Sequence, residues 1–190
     1  MEKQSHIFLN ALMQGLTADQ ALQRASLKDK QPLSMGEMIH AISHDFDMQM
    51  LSTLQSDPMP EKVRERIAKA VFVRLHVMEP FKQAIGILMR QGLWPHYGAS
   101  MVHTAWQTAD TIWYWAGDEA TDFNHYTKRT LLLGVMVPSM VTWLQDDTEN
   151  LHKTKATIEK TLSRVMQIPK LKEKALTCLR STPFVGRFFK

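Results

Sequence analysis

The sequence predicts an all-α fold, on three observations. Apolar residues recur at three- and four-residue spacing along most of the chain, no stretch alternates apolar and polar as a strand does, and the breaks between segments are short and carry helix-capping chemistry. With 190 residues, 44% apolar and 22% charged, the chain fits one globular domain with an appendage and can bury a core without a metal or disulfide staple. Its single cysteine, Cys178, has no internal partner, which suits a reducing compartment.

The elements follow in order. A first helix, Gln4 to Gln14, ends at Gly15, a residue that enters the left-handed C-cap conformation at no steric cost. Thr17 and Gln20 form a capping box for a second, and Ser34 and Glu37 form another for a long helix that runs to Gln55. Ser56, Asp57 and Pro58 stop it. Pro60 is expected to open the next helix, whose stripe is Val63, Ile67, Ala70, Val71, Arg74 and Leu75; Pro80 should break it near Glu79 before Phe81 to Arg90 resumes. Leu93 to Gly98 reads as a turn, Ala99 to Ala116 as a helix closed by Gly117, Phe123 to Gln145 as another, and Glu149 to Ile168 as a last long one. Pro169 then sets off a basic terminal helix. That makes about nine helices, the first three joined as in a helix-turn-helix unit.

Charge is unevenly spread. Residues 153–190 hold ten Lys/Arg against Glu159 and Glu173, leaving thirteen Lys/Arg against seventeen Asp/Glu in residues 1–152. A helix-turn-helix head that reads DNA must neutralise phosphates. Residues 1–45 offer only Lys3, Arg24, Lys28 and Lys30 against five acids, so nucleic acid is not the expected partner.

The segment WYWAGDEATDFNHYTKR, Trp113 to Arg129, resembles the signature of the ubiquinone biosynthesis accessory lipid-binding family, the ninth Coq protein. An aromatic pair and a Gly-Asp turn are followed by Asp122, Asn124, Tyr126, Thr127, Lys128 and Arg129 opening the next helix, with Asp118 in the turn. SRVMQIPKLK, Ser163 to Lys172, is similar to the family's segment before its last helix, and the likeness covers about residues 60–180. The resemblance implies a TetR-like helical bundle: a degenerate helix-turn-helix head at 1–56, a lipid-binding body at 57–168 and a basic amphipathic membrane-binding tail at 169–190. It implies a non-catalytic factor with no cofactor, which presents a prenylated quinone intermediate to the di-iron demethoxyubiquinone hydroxylase. An isoprenoid quinone or a phospholipid is the implied ligand, a membrane surface a further partner, and a homodimer is allowed. The alternative is a TetR-like transcriptional regulator that senses a lipid.

The residues accommodate these roles. Val102, Trp106, Ala109 and Trp113 fall on one expected apolar face, while His103, Gln107, Asp110 and Tyr114 share a polar one. The helix after Arg129 is apolar on every side, and Leu132, Met136, Met140 and Trp143 either fill a core or, with Val102, Trp106 and Trp113, line a lipid cavity. Thirteen methionines favour adaptable packing. Pro138 frees the carbonyl of Gly134; a kink there opens space beside the aromatic helix or only wraps the helix around the core. Thr121 or Asp122 is the expected N-cap, and Asp118, Asp122, Lys128 and Arg129 the makings of an ion-pair network. Asp110, Tyr114, His125 and Tyr126 form the expected partner patch, with His125 where the family commonly has Trp.

In the tail, Lys170, Lys172 and Lys174 flank an apolar face containing Leu176 and Leu179, and Phe184, Phe188 and Phe189 follow, the pattern of a helix lying in a membrane interface. A helix docked on its own body is the alternative. No enzyme motif emerges: His40, His44 and Asp47 have ligand spacing but no Glu base or third cluster, so a wet helix face is expected there. No targeting segment is evident, and Thr130 to Leu144 is too short to span a bilayer. The expected location is cytoplasmic, peripheral on the inner face of a bacterial inner membrane, or the mitochondrial matrix side in a eukaryote.

Overall fold

A computed structural model describes residues 4–27, 33–90, 93–118 and 123–165, the side chains of 93–97 and 123–125 excepted. Among these residues the architecture is all-α, without strands. Eight α-helices follow one another: α1 Gln4–Met13, α2 Ala18–Ser26, α3 Met35–Gln55, α4 Val63–Val77, α5 Lys82–Arg90, α6 Leu93–Trp115, α7 Phe123–Leu144 and α8 His152–Val165. Short 3-10 turns at Glu79–Phe81 and Glu149–Leu151 precede α5 and α8. The basic tail, with Lys170, Lys172, Lys174, Leu176, Leu179, Phe184, Phe188 and Phe189, lies outside the described residues, as do the expected N-caps Thr121 and Asp122.

Local chemistry accounts for most boundaries. Both capping boxes form: the Thr17 hydroxyl accepts from the Gln20 amide while the Gln20 side chain accepts from the Thr17 amide, and Ser34 and Glu37 exchange the same pair. After α1 and α6 the chain turns through Gly15 at φ +88° and Gly117 at φ +89°. In each case the next amide reaches back five residues, Leu16 to Ala11 and Asp118 to Trp113, satisfying a carbonyl that the helix leaves open.

Two boundaries depart from the sequence expectation. Leu93 to Gly98 is not a turn but the start of α6, because Pro95 sits in the first helical turn, where its missing N–H breaks no bond. Pro60 does not open α4, which begins at Val63 after an N-cap, Lys62, that makes no side-chain bond. Arg66 organises this entry instead, donating to the Pro60 carbonyl at 2.7 Å, to the Glu61 carbonyl at 3.1 Å and across to the carbonyl of Ala116, the residue that follows α6, at 2.9 Å. Pro80 does break the helix, as a 3-10 turn. Pro138 lies inside α7, which is continuous from Phe123 to Leu144, and the hydroxyls of Ser139 and Thr142 bond the carbonyls four residues earlier.

A single core runs through all eight helices, from Phe8 and Ala21 through Phe46, Ile67 and Ile85 to Ile112, Val135 and Ile158. The long helix α3 packs along α6 and α4, α7 lies against α8 and α6, and α1 leans on α2 and α5. The chain therefore places α3, α4, α6 and α7 around one common space.

Candidate functional site

That space contains an apolar cavity of about 240 Å³. Met78, Met89, Met101, Met136 and Met140 are among its walls, so the methionine richness of the sequence is partly spent here. Thioethers on three rotatable bonds adapt to irregular apolar shapes better than branched side chains do. The cavity opens between α6 and α7 at Val102 and Val137, which are 54% and 56% exposed, and Val141 extends the same apolar rim by one turn.

The expected lipid-lining set divides. Val102, Met136 and Met140 line the cavity. Trp113 and Leu132 do not; they border a separate groove with Ile67, Val135, Leu162 and Val165 between α4, α6, α7 and α8. Trp106 faces a polar cleft with His40, His44 and Asp110, its ring 6.1 Å from that of Tyr126. Trp143 is fully buried and donates to the Glu79 carboxylate at 2.6 Å, with Lys82 over its ring, which makes it a core anchor. The helical phase explains the split. The buried face of α6 is Thr104, Thr108, Ala109 and Ile112, continued by Ala116 just past its end, and it is rotated away from the stripe that its aromatic residues trace.

One end of the cavity is charged. Asp47 on α3 and Arg74 on α4 form a buried ion pair, Nε to Oδ1 at 2.6 Å, with side chains 9% and 10% exposed. The Thr108 hydroxyl on α6 lies 2.9 Å from Oδ2, and Arg74 Nη2 donates to the carbonyl and hydroxyl of Ser43, both at 3.3 Å. Arg74, Ser43 and Thr108 line the apolar cavity; Ser43 and Asp47 also border the polar cleft. Burial pushes the Arg74 pKa down and the neighbouring Asp47 works against that, so the guanidinium stays charged. Its Nη1 is buried with no partner among the described residues. Such an orphaned donor costs about 1–3 kcal/mol, more when charged.

Asp47 corrects the expectation of a wet helix face. His40 and His44 are exposed, but Asp47 turns inward and its oxygens serve Arg74 and Thr108 rather than a metal. Among the described residues no three His, Cys, Asp or Glu side chains converge as ligands. Arg74 was visible in sequence as the one charge on the apolar stripe of α4, and that is the signal by which this pair could have been found.

At the α6–α7 corner Asp118, Lys128 and Arg129 of the expected ion network are joined, while Asp122 lies outside the described residues. Arg129, 3% exposed, bridges Asp110 at 2.8 Å and Asp118 at 3.1 Å, and Lys128 also pairs with Asp118. Burial works to raise the Asp118 pKa, but hydrogen bonds and charge from Lys128 and Arg129 outweigh it and hold it below the ordinary value. The Trp113 indole donates to the Lys128 carbonyl at 3.1 Å and locks α6 to α7. Of the expected partner patch, Tyr114 and Tyr126 are exposed, Asp110 is held by Arg129, and the His125 side chain lies outside the described set.

Residues 99–169 match the COQ9 family model. This segment is similar to the COQ9 family. It contains the whole Trp113–Arg129 signature, the cavity mouth and most of α6, all of α7 and all of α8. Curated relatives agree: the mitochondrial ubiquinone biosynthesis protein COQ9 of Xenopus tropicalis is 25% identical over 130 residues, 68% of this chain and 40% of its own length. Its counterpart from Bos taurus is 30% identical over 112 residues, 57% of this chain and 34% of its own. The human protein is 28% identical over 111 residues, 56% and 34% of the two lengths. The chain thus matches well under half the length of these relatives. Among the described residues no helix is long and apolar enough to cross a membrane.

Proposed function

We propose that the chain is a lipid-binding accessory factor of ubiquinone biosynthesis, one that does no chemistry itself and presents a prenylated quinone intermediate to demethoxyubiquinone hydroxylase at a membrane. The observation that carries this reading is the cavity between α3, α4, α6 and α7, with its methionine walls and exposed apolar mouth. The names of the COQ9 relatives supply the pathway. A cavity of about 150 Å³ takes up benzene, so this one has room for a substituted ring and the first part of its chain. A long prenyl tail must continue outward, and the Val102–Val137 rim gives it an apolar exit. An exposed apolar rim is also what a membrane contact requires.

The basic tail supplies the second membrane signal. Lys and Arg near an anionic surface contribute about 1 kcal/mol each, and the aromatic end of the tail adds apolar insertion. The chain then lies peripherally on the inner face of a bacterial inner membrane, or on the matrix side in a eukaryote. Tyr114 and Tyr126, exposed beside the Asp110–Arg129 bridge, present the aromatic anchors for the hydroxylase.

Native mass spectrometry of the purified chain tests the reading. Co-purifying isoprenoid or phospholipid is expected, and a protein that stays empty after incubation with lipid vesicles would overturn it. Deleting residues 170–190 should abolish co-sedimentation with anionic liposomes. Sequence-specific DNA binding at physiological salt would instead establish a lipid-sensing regulator.

A further inference from the structure

The cavity is apolar except where Arg74, Ser43, Thr104 and Thr108 reach it; the Thr104 hydroxyl donates to the Met101 carbonyl of its own helix, and Arg74 Nη1 is the buried guanidinium nitrogen that nothing among the described residues satisfies. We infer that Arg74 is the headgroup donor of this cavity, and that the ligand it selects is a neutral oxygen acceptor, a ring carbonyl, on an apolar chain. The inference rests on the lipid-binding reading above and specifies which end of the lipid enters first.

Two features of the pair carry the selection. Nε and Nη2 are committed to Asp47 and Ser43, so the guanidinium cannot turn without breaking a 2.6 Å charge-assisted bond; Nη1 is left as a fixed donor. The pair is also already neutral. A phosphate or carboxylate entering here would shed its water and meet the Asp47 carboxylate, with one cation shared between two anions. A carbonyl satisfies the orphaned N–H without adding charge. Ser43 and Thr108 have their hydroxyls turned toward Arg74 and Asp47, which leaves the arginine as the polar group offered to the ligand.

The test compares three probes on the full chain: a short prenylated benzoquinone, the prenylbenzene of the same chain length, and oleate. Wild type should bind the quinone roughly tenfold or more tighter than the hydrocarbon, the discrimination that one charge-assisted hydrogen bond supplies. Its carbonyl stretch in the infrared should move to lower frequency on binding. The double variant D47L/R74M replaces the pair by apolar groups of similar volume, a change that buried pairs often tolerate. It should bind the two prenyl probes equally and lose the infrared shift. If D47L/R74M does not fold, R74K keeps a cation beside Asp47 without the planar fork, and it should lose the same preference and shift. Equal binding of quinone and hydrocarbon by wild type would overturn the inference while leaving the lipid-binding reading intact, as would a preference for oleate. Retention of the preference and the shift in the variants would also overturn it. Failure of wild type to bind any of the three would bring down both.

Discussion

Two buried acids show how the same residue type serves two ends. Asp146, 1% exposed at the end of α7, accepts from the amide and hydroxyl of Thr148 on one oxygen and from those of Thr154, both at 2.7 Å, on the other. This box pins the connection to α8, where Asn150 and Leu151 adopt left-handed φ values of 55° and 54° that side-chain-bearing residues rarely hold. Asp47 is buried to a similar degree, but its cluster ends, at the wall of a cavity, in a donor without an acceptor among the described residues. A closed network rigidifies a fold, whereas an open one leaves binding capacity.

Breaking either cluster should separate the two roles. The largest effect is expected for R74M, which leaves Asp47 charged and unpaired in the interior: a loss of about 3–5 kcal/mol, seen as a fall in urea midpoint. That R74M is far worse than D47L/R74M is the sharper form of the prediction, since only the single variant strands a charge. D146A should follow at about 2–3 kcal/mol, from the donors of Thr148 and Thr154 left without a partner, with lipid binding unchanged at temperatures where the protein stays folded.

Acid should act chiefly through Asp146 and Asp118. Burial works to raise the Asp146 pKa, but the bonds from Thr148 and Thr154 outweigh it and hold it well below the usual carboxylate range. Asp118 is lowered too. A folded-state pKa below the unfolded one means that the stabilisation is complete above about pH 4 and is lost as pH falls through the depressed values. Melting temperature should therefore drop steeply on acidification below about pH 4, and D146N should flatten that slope. The smallest stability effect belongs to the mouth. V102K/V137K alters two half-exposed positions and should change stability by no more than about 0.5 kcal/mol. It should nonetheless slow quinone uptake from vesicles severalfold; unchanged uptake would place the entrance elsewhere.

The comparison also explains which parts of the molecule were legible. Capping boxes at Thr17 and Ser34, glycine stops at 15 and 117 and the Pro80 break all follow from bonds within four or five residues, and each appears in the structure. The ion network of Asp118, Lys128 and Arg129 was legible too, because its opposite charges lie only 10 and 11 residues apart in the sequence. Trp106, Trp113 and Trp143 were less so. Large aromatics at helical spacing mark burial in general, but three neighbours of differing shape decide where each one goes: a polar cleft, a groove and a hydrogen-bonded core.

What the sequence determined by itself is the list of helices, the uneven charge and, in Trp113 to Arg129, the likeness to COQ9. Those properties are local or additive along the chain. Only the tertiary structure decided that Asp47, Arg74 and Thr108, separated by 27 and 34 residues in succession, meet at the end of a methionine-walled cavity. The reason is physical: a helix repeats every 3.6 residues, so its sequence shows which residues share a face. Which face meets which neighbour, and whether the space between is filled, is set by packing among α3, α4, α6 and α7 together.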